Sequence, residues 1–266
     1  MNILQRELKS NLRGLLIWAL ALALLNFWMV AIFPSMAADG AMLEELMEMY
    51  PESMLKVFNM EKLNFSDPLG FYGVESFFMV VLFGSIYAAI LGSGLLAKEE
   101  DDKTVEFLLA RPVSRGEVIR DKVLCWVIYM ALFNLIIGVV TLLGFEYFDV
   151  GEFSRATLLS LLLAPYFVHL VFAAIGFLSA LFFVRRKAAL SVSIGLVLGS
   201  YFLNAIASLS EDMQFLGWFS PFKYMDAADI VNNGGINWIY ALGLLTVAAV
   251  TVAVTGILYR KRDIAI

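Results

Sequence analysis

Six uninterrupted apolar blocks decide what this chain can fold into. They run over residues 15–33, 71–97, 123–145, 158–184, 188–210 and 238–259. A helix needs about 20 mostly apolar residues to cross a hydrocarbon core about 30 Å thick, and each block meets that length. Lipid offers the backbone no hydrogen-bond partners, so each block is expected as an α-helix rather than an open strand. The fold class is accordingly an all-α integral membrane protein with six transmembrane helices. Composition points the same way, with 61% hydrophobic and 16% charged residues where soluble domains average nearer half and a quarter. A net charge of -5 gives no electrostatic footprint for nucleic acid. The single cysteine, Cys125, lies inside the third block and leaves no intramolecular disulfide.

The first block follows Arg6, Lys9 and Arg13 and precedes Ser35-Met36-Ala37, a combination that resembles a secretory signal. Its 19 residues exceed the usual signal core of about 7–15, so a retained span is the expectation. Orientation follows from the cations. Fifteen of the 19 Lys and Arg residues fall in the N-terminus, the second-to-third connection, the fourth-to-fifth connection and the C-terminus. The positive-inside rule then puts both termini and these two connections in the cytoplasm, and the expected location is the cell membrane, crossed several times.

The chain reads as one transmembrane domain over residues 1–266, with no internal repeat, low-complexity linker or nucleotide-binding domain. Residues 1–13 place Ile3, Leu4 and Leu8 against Arg6, Lys9 and Arg13, the pattern of an amphipathic N-terminal helix at a membrane surface. In the first outer loop Leu43, Leu46, Met47 and Tyr50 recur at helical spacing opposite Glu44, Glu45 and Glu48. That segment reads as a surface helix or as a lid. The last outer loop carries Phe215, Trp218, Phe219, Phe222 and Tyr224, either an interfacial anchor or an outer gate.

The connection 98–122 carries the most information. Asp101 and Asp102 suit a helix N-terminus. Val105, Leu108 and Leu109 then give a short apolar face, and Pro112 ends it. Ser114-x-x-Glu117 is a capping box that should start a new helix running into the third span. Physically this is a short amphipathic helix, a proline corner and a capped helix continuous with a membrane span. Such an element either transmits a push at the cytoplasmic face or rests its apolar side on lipid headgroups.

These residues resemble a known family. Glu99 and Glu100, then Thr104-x-Glu106-x-Leu108-Leu109-x-x-Pro112-Val113-Ser114-Arg115, then Lys122 look like the loop signature of ABC type-2 (ABC-2 family) permeases. Ser220-Pro221-Phe222-Lys223-Tyr224 is similar to a second, weaker pattern of that family. The resemblance spans the whole chain. It implies a permease subunit of an ATP-binding-cassette exporter, pairing with a second permease subunit as homodimer or heterodimer and with cytoplasmic ABC ATPase subunits. It also implies alternating access driven by those ATPases, with ATP and Mg on the partner and no cofactor on this chain. Carried over residue by residue, coupling to the ATPase falls on Glu99, Glu100, Thr104, Glu106, Leu108, Leu109, Pro112, Arg115 and Lys122. The segment 98–122 would then hold a cytoplasmic coupling helix, and the N-terminal helix is similar to the family's interfacial elbow.

No Gly-x-x-x-x-Gly-Lys-Ser/Thr loop is present, so a P-loop for ATP is absent from this chain. An enzyme is also disfavoured, since His169 is the only histidine and no His-Glu-x-x-His accompanies it. His169 sits mid-span, where an ionisable residue is either functional or a neutral interhelical hydrogen bonder. Asn134 and Asn204 read as interhelical hydrogen bonders. Ser191, Gly195 and Gly199 form a small-xxx-small stripe, either a subunit interface or internal packing, and Tyr201 and Asn204 nearby are candidates for a pathway. The alternative function is an ATPase-independent secondary transporter or channel, disfavoured by the scarcity of intramembrane charges and broken helices.

Overall fold

A computed structural model describes residues 3–38, 49–58, 60–101, 114–183 and 185–261, with backbone only for residues 99 and 100. All regular structure among the described residues is helical. The six expected spans appear as α1 (Ile3–Ala37), α3 (Pro68–Asp101), α4 (Arg115–Tyr147), α5 (Arg155–Ser179), α6 (Arg186–Leu209) and α9 (Trp238–Lys261). Shorter helices α2 (Glu52–Val57), α7 (Gln214–Gly217) and α8 (Ala227–Asn233) lie in the connections.

Local chemistry explains where the spans begin. The Asp67 carboxylate accepts from the Leu69 and Gly70 amides, both at 3.0 Å, and Pro68 holds the first position of α3. Gly70 is required there, because a Cβ would overlap the Asn64 carbonyl oxygen. The entry of α3 then widens into a π-helical turn over Tyr72–Phe77 before the α-helix resumes at Phe78. The expected capping box opens α4: Ser114 Oγ accepts from the Glu117 amide at 3.2 Å, and Glu117 Oε2 accepts from the Ser114 amide at 2.7 Å. Ser154 caps α5, which runs through Pro165 without ending. Gly234, at a φ of 70°, closes α8 in the left-handed conformation.

The amphipathic start of the chain is helical, but it is no separate element: α1 runs unbroken for 35 residues, about 52 Å at 1.5 Å per residue. That exceeds the hydrocarbon thickness of about 30 Å, so the helix is longer than a span needs.

Two spans form the centre. In their most apolar stretches α3 and α5 are 78% and 67% buried, against 22% for both α6 and α9. The central pair meets through glycines on each side. A Cβ on Gly92 of α3 would overlap the Ala173 carbonyl of α5, and one on Gly176 would lie 2.5 Å from the Ala89 carbonyl of α3. Around this pair α1 packs on α4, α6 on α3 and α9 on α5. The alternation of six spans brings both termini to one end of the bundle, hereafter the terminal end, together with the segments that flank residues 102–113.

Candidate functional site

The terminal end contains a closed cluster of charges built around Glu7. This carboxylate lies on the buried face of α1, one turn after Ile3, and is wholly inaccessible. Isolated ions are expensive to desolvate, so a buried carboxylate needs cationic partners. Lys98, in the last turns of α3, pairs with Oε2. Lys122, in the second turn of α4, places Nζ 3.7 Å from Oε1 and donates to the Leu95 carbonyl of α3. Arg6 completes the set at 3.6 Å from Oε1. Beside the cluster the Tyr129 hydroxyl of α4 donates to the Leu8 carbonyl of α1.

One residue of α1 thus holds both ends of the 98–122 connection, the near end through Lys98 and the far end through Lys122. The far end has a second anchor. Arg115 Nη1 donates to the Tyr259 and Arg260 carbonyls at 3.1 Å each, satisfying acceptors that the last turn of α9 leaves without helical partners. Between these anchors lie residues 102–113. Of the residues that the resemblance links to coupling, Thr104, Glu106, Leu108, Leu109 and Pro112 lie outside the described residues, as do the side chains of Glu99 and Glu100. Arg115 and Lys122 are described, and they face inward onto α9, α1 and α3.

Sequence reasoning passed over Glu7. Its signal was available: it is the only acid before Asp39 and sits at i+4 from Ile3, on the apolar face of the segment rather than with its cations.

A second polar locus lies mid-bundle. His169 of α5 is fully buried. Its Nε2 lies 3.2 Å from the Val80 carbonyl of α3 and its Nδ1 3.0 Å from Asn134 Nδ2 of α4. A carbonyl can only accept, so Nε2 carries the proton and Nδ1 accepts from the Asn134 amide, the arrangement of a neutral imidazole. Gly84 makes room, since a Cβ there would overlap the ring. His169 therefore joins three spans and is sealed from any passage. Asn134 is the interhelical hydrogen bonder its position suggests.

The small-residue stripe of α6 points away from the bundle. Ser191, Gly195 and Gly199 are exposed, and neither glycine has any atom within 4 Å of a built Cβ. Tyr201 and Asn204 occupy a different face, that of buried Ser193 and Val197. Tyr201 stacks against Phe78 of α3 at 5.4 Å, and Asn204 lines a cavity at the end opposite the termini. The Ser220-Pro221-Phe222-Lys223-Tyr224 motif has a local cause: Ser220 Oγ accepts from the Phe222 amide at 3.3 Å and Pro221 starts a 3-10 turn to Met225. Phe222 is buried, whereas Phe215, Trp218 and Phe219 are exposed. Among the described residues no cluster of His, Cys, Asp and Glu could hold a metal ion.

A family model described as ABC-2 family transporter protein matches residues 1–264. No curated protein matches the chain.

Proposed function

Because the chain belongs to the ABC-2 family of transporter proteins, and so is a multi-pass permease subunit, we propose that it works in an exporter of the cell membrane powered by separate ABC ATPases. The terminal end faces the cytoplasm in this reading, as the distribution of Lys and Arg favours. The ATPase docks on residues 99–115, and this chain performs no hydrolysis itself. A second permease subunit completes the path, and the exposed stripe Ser191, Gly195 and Gly199 is its candidate contact.

The observation that carries the proposal is the grip of Glu7 on Lys98 and Lys122. A push on the connection between those lysines would reach α1, α3 and α4 together, while Arg115 would pass it to α9. Packed side chains and ion-pair networks of this kind are one physical means by which two distant sites are coupled.

The test is co-expression with candidate ATPases, followed by purification and measurement of ATP hydrolysis. A stable complex is expected, weakened by charge reversal at Glu106 or Arg115. Failure of every ATPase to co-purify, or indifference of assembly and hydrolysis to both reversals, would overturn the exporter reading.

A further inference from the structure

The end opposite the termini holds a cavity of about 330 Å³ between α2, the end of α6 and the segment that leads into α8. Its wall carries charges of both signs: Lys56, Lys62 and Lys223 with Glu61, Asp226 and Asp229. Several of these groups are already fixed in place. Lys56 is hydrogen-bonded to Glu52, whose carboxyl it holds below the usual carboxylate range. Asp226 caps α8 through the Ala228 and Asp229 amides. Lys223 lies over the Trp218 ring at 4.9 Å, its stem against Gly217. The Lys62 carbonyl accepts from Asn232 Nδ2 at 3.3 Å, which ties that stretch to α8.

A second, narrower cavity of about 70 Å³ shares Val57, Asn204 and Asp226 with the first and is otherwise apolar. Its wall is a run of touching rings: Phe58 on Phe78 at 5.3 Å, Phe78 on Tyr201 at 5.4 Å, and Tyr201 on Phe222 at 6.1 Å. Small-molecule sites are usually clefts of about 300 Å³ upward, a size the charged outer chamber reaches while the apolar slot adds a narrow extension.

We propose that this two-part cavity binds a zwitterionic amphiphile, with its doubly charged headgroup in the outer chamber and the start of its apolar chain in the aromatic slot. The mixed wall argues for a headgroup of both signs. A purely anionic head would meet Glu61 and Asp229, and a purely cationic one would meet Lys62 and Lys223. The slot has room for one chain only. Two sources offer this chemistry, a phospholipid of the bilayer and a single-chain amphiphile arriving from water. The proposal stands whether or not an ATPase docks at the other end.

The test uses the full chain in lipid nanodiscs with three photo-crosslinking amphiphiles that share one diazirine-bearing tail. Their heads are phosphoethanolamine, sulfate and trimethylammonium, and labelled peptides are mapped by mass spectrometry. The phosphoethanolamine probe is expected to label residues 74–82 and 201–207 about fivefold more than either other probe, the preference that about 1 kcal/mol of charge pairing confers. The double substitution Lys62→Gln with Asp229→Asn removes one charge of each sign at exposed positions, and it should erase that preference with melting unchanged. Delivery within the disc, against addition from water to preformed discs, tells which source fills the site. Equal labelling by all three heads, no labelling by either route, or a preference untouched by the double substitution would overturn the proposal.

Discussion

The two ends of the bundle spend similar residues in opposite ways. At the terminal end Glu7 and Lys122 are withdrawn from water and, with the partly exposed Lys98, paired to one another. At the far end Lys62, Lys223, Glu61 and Asp229 line an open chamber. Desolvated charges hold only if every partner stays, so the first group fixes the geometry of three helices. Solvated charges contribute little to stability, which leaves the second group available for recognition. The contrast separates a part that must not yield from a part that can accept a ligand.

Substitutions at the terminal end should have the largest effects. Glu7→Ala removes the carboxylate from beside the buried Lys122 and the partly exposed Lys98 and should cost about 3–5 kcal/mol, the range for stranding a buried ion. Thermal unfolding in detergent would show it as a large fall in Tm. The triple substitution Glu7→Met, Lys98→Met and Lys122→Met should recover much of that loss, since apolar replacement of a whole buried ion cluster is often close to neutral. If Glu7→Ala melts like the parent, the contrast between the two ends collapses.

Next comes the central seam. Gly176→Ala brings a methyl against the Ala89 carbonyl, and overpacking of this kind costs about 1–3 kcal/mol. The same unfolding assay reads it, and Gly195→Ala, with nothing within 4 Å, is the matched control expected to show no loss. His169→Phe removes both of its hydrogen bonds and should cost about 0.6–2 kcal/mol, the scale of interhelical bonds in membranes. Breaking the capping box with Ser114→Ala should cost about 1 kcal/mol, seen as faster amide exchange over residues 115–119. The smallest effect belongs to the open chamber: Lys62→Gln should change stability by under about 0.5 kcal/mol.

The features legible in the sequence are those set by local chemistry. Six spans follow from hydropathy alone, and the Ser114–Glu117 box follows from a four-residue pattern that the structure reproduces. Span ends were less legible, because α1 and α4 continue as helix well past the ends of the apolar blocks. Long-range pairing was hidden. Lys98 lies 91 residues from Glu7, and no periodicity joins them. Tyr201 and Asn204 follow the Ser191 stripe closely in the chain, which suggests a shared face. Helical rotation puts them on the face of Ser193 and Val197 instead, so the small residues look outward while Tyr201 packs inward.

The reciprocal fit of Gly92 and Gly176 sets the kinematics of the molecule. With Gly92 seated against the Ala173 carbonyl and Gly176 against the Ala89 carbonyl, sliding along the seam would bring bulkier side chains onto those carbonyls, which resists slippage of α3 past α5. A stroke that spares the seam would be a rotation or tilt of the surrounding helices about it, and spin-label distances across α6 and α9, compared with distances across the seam, would record it.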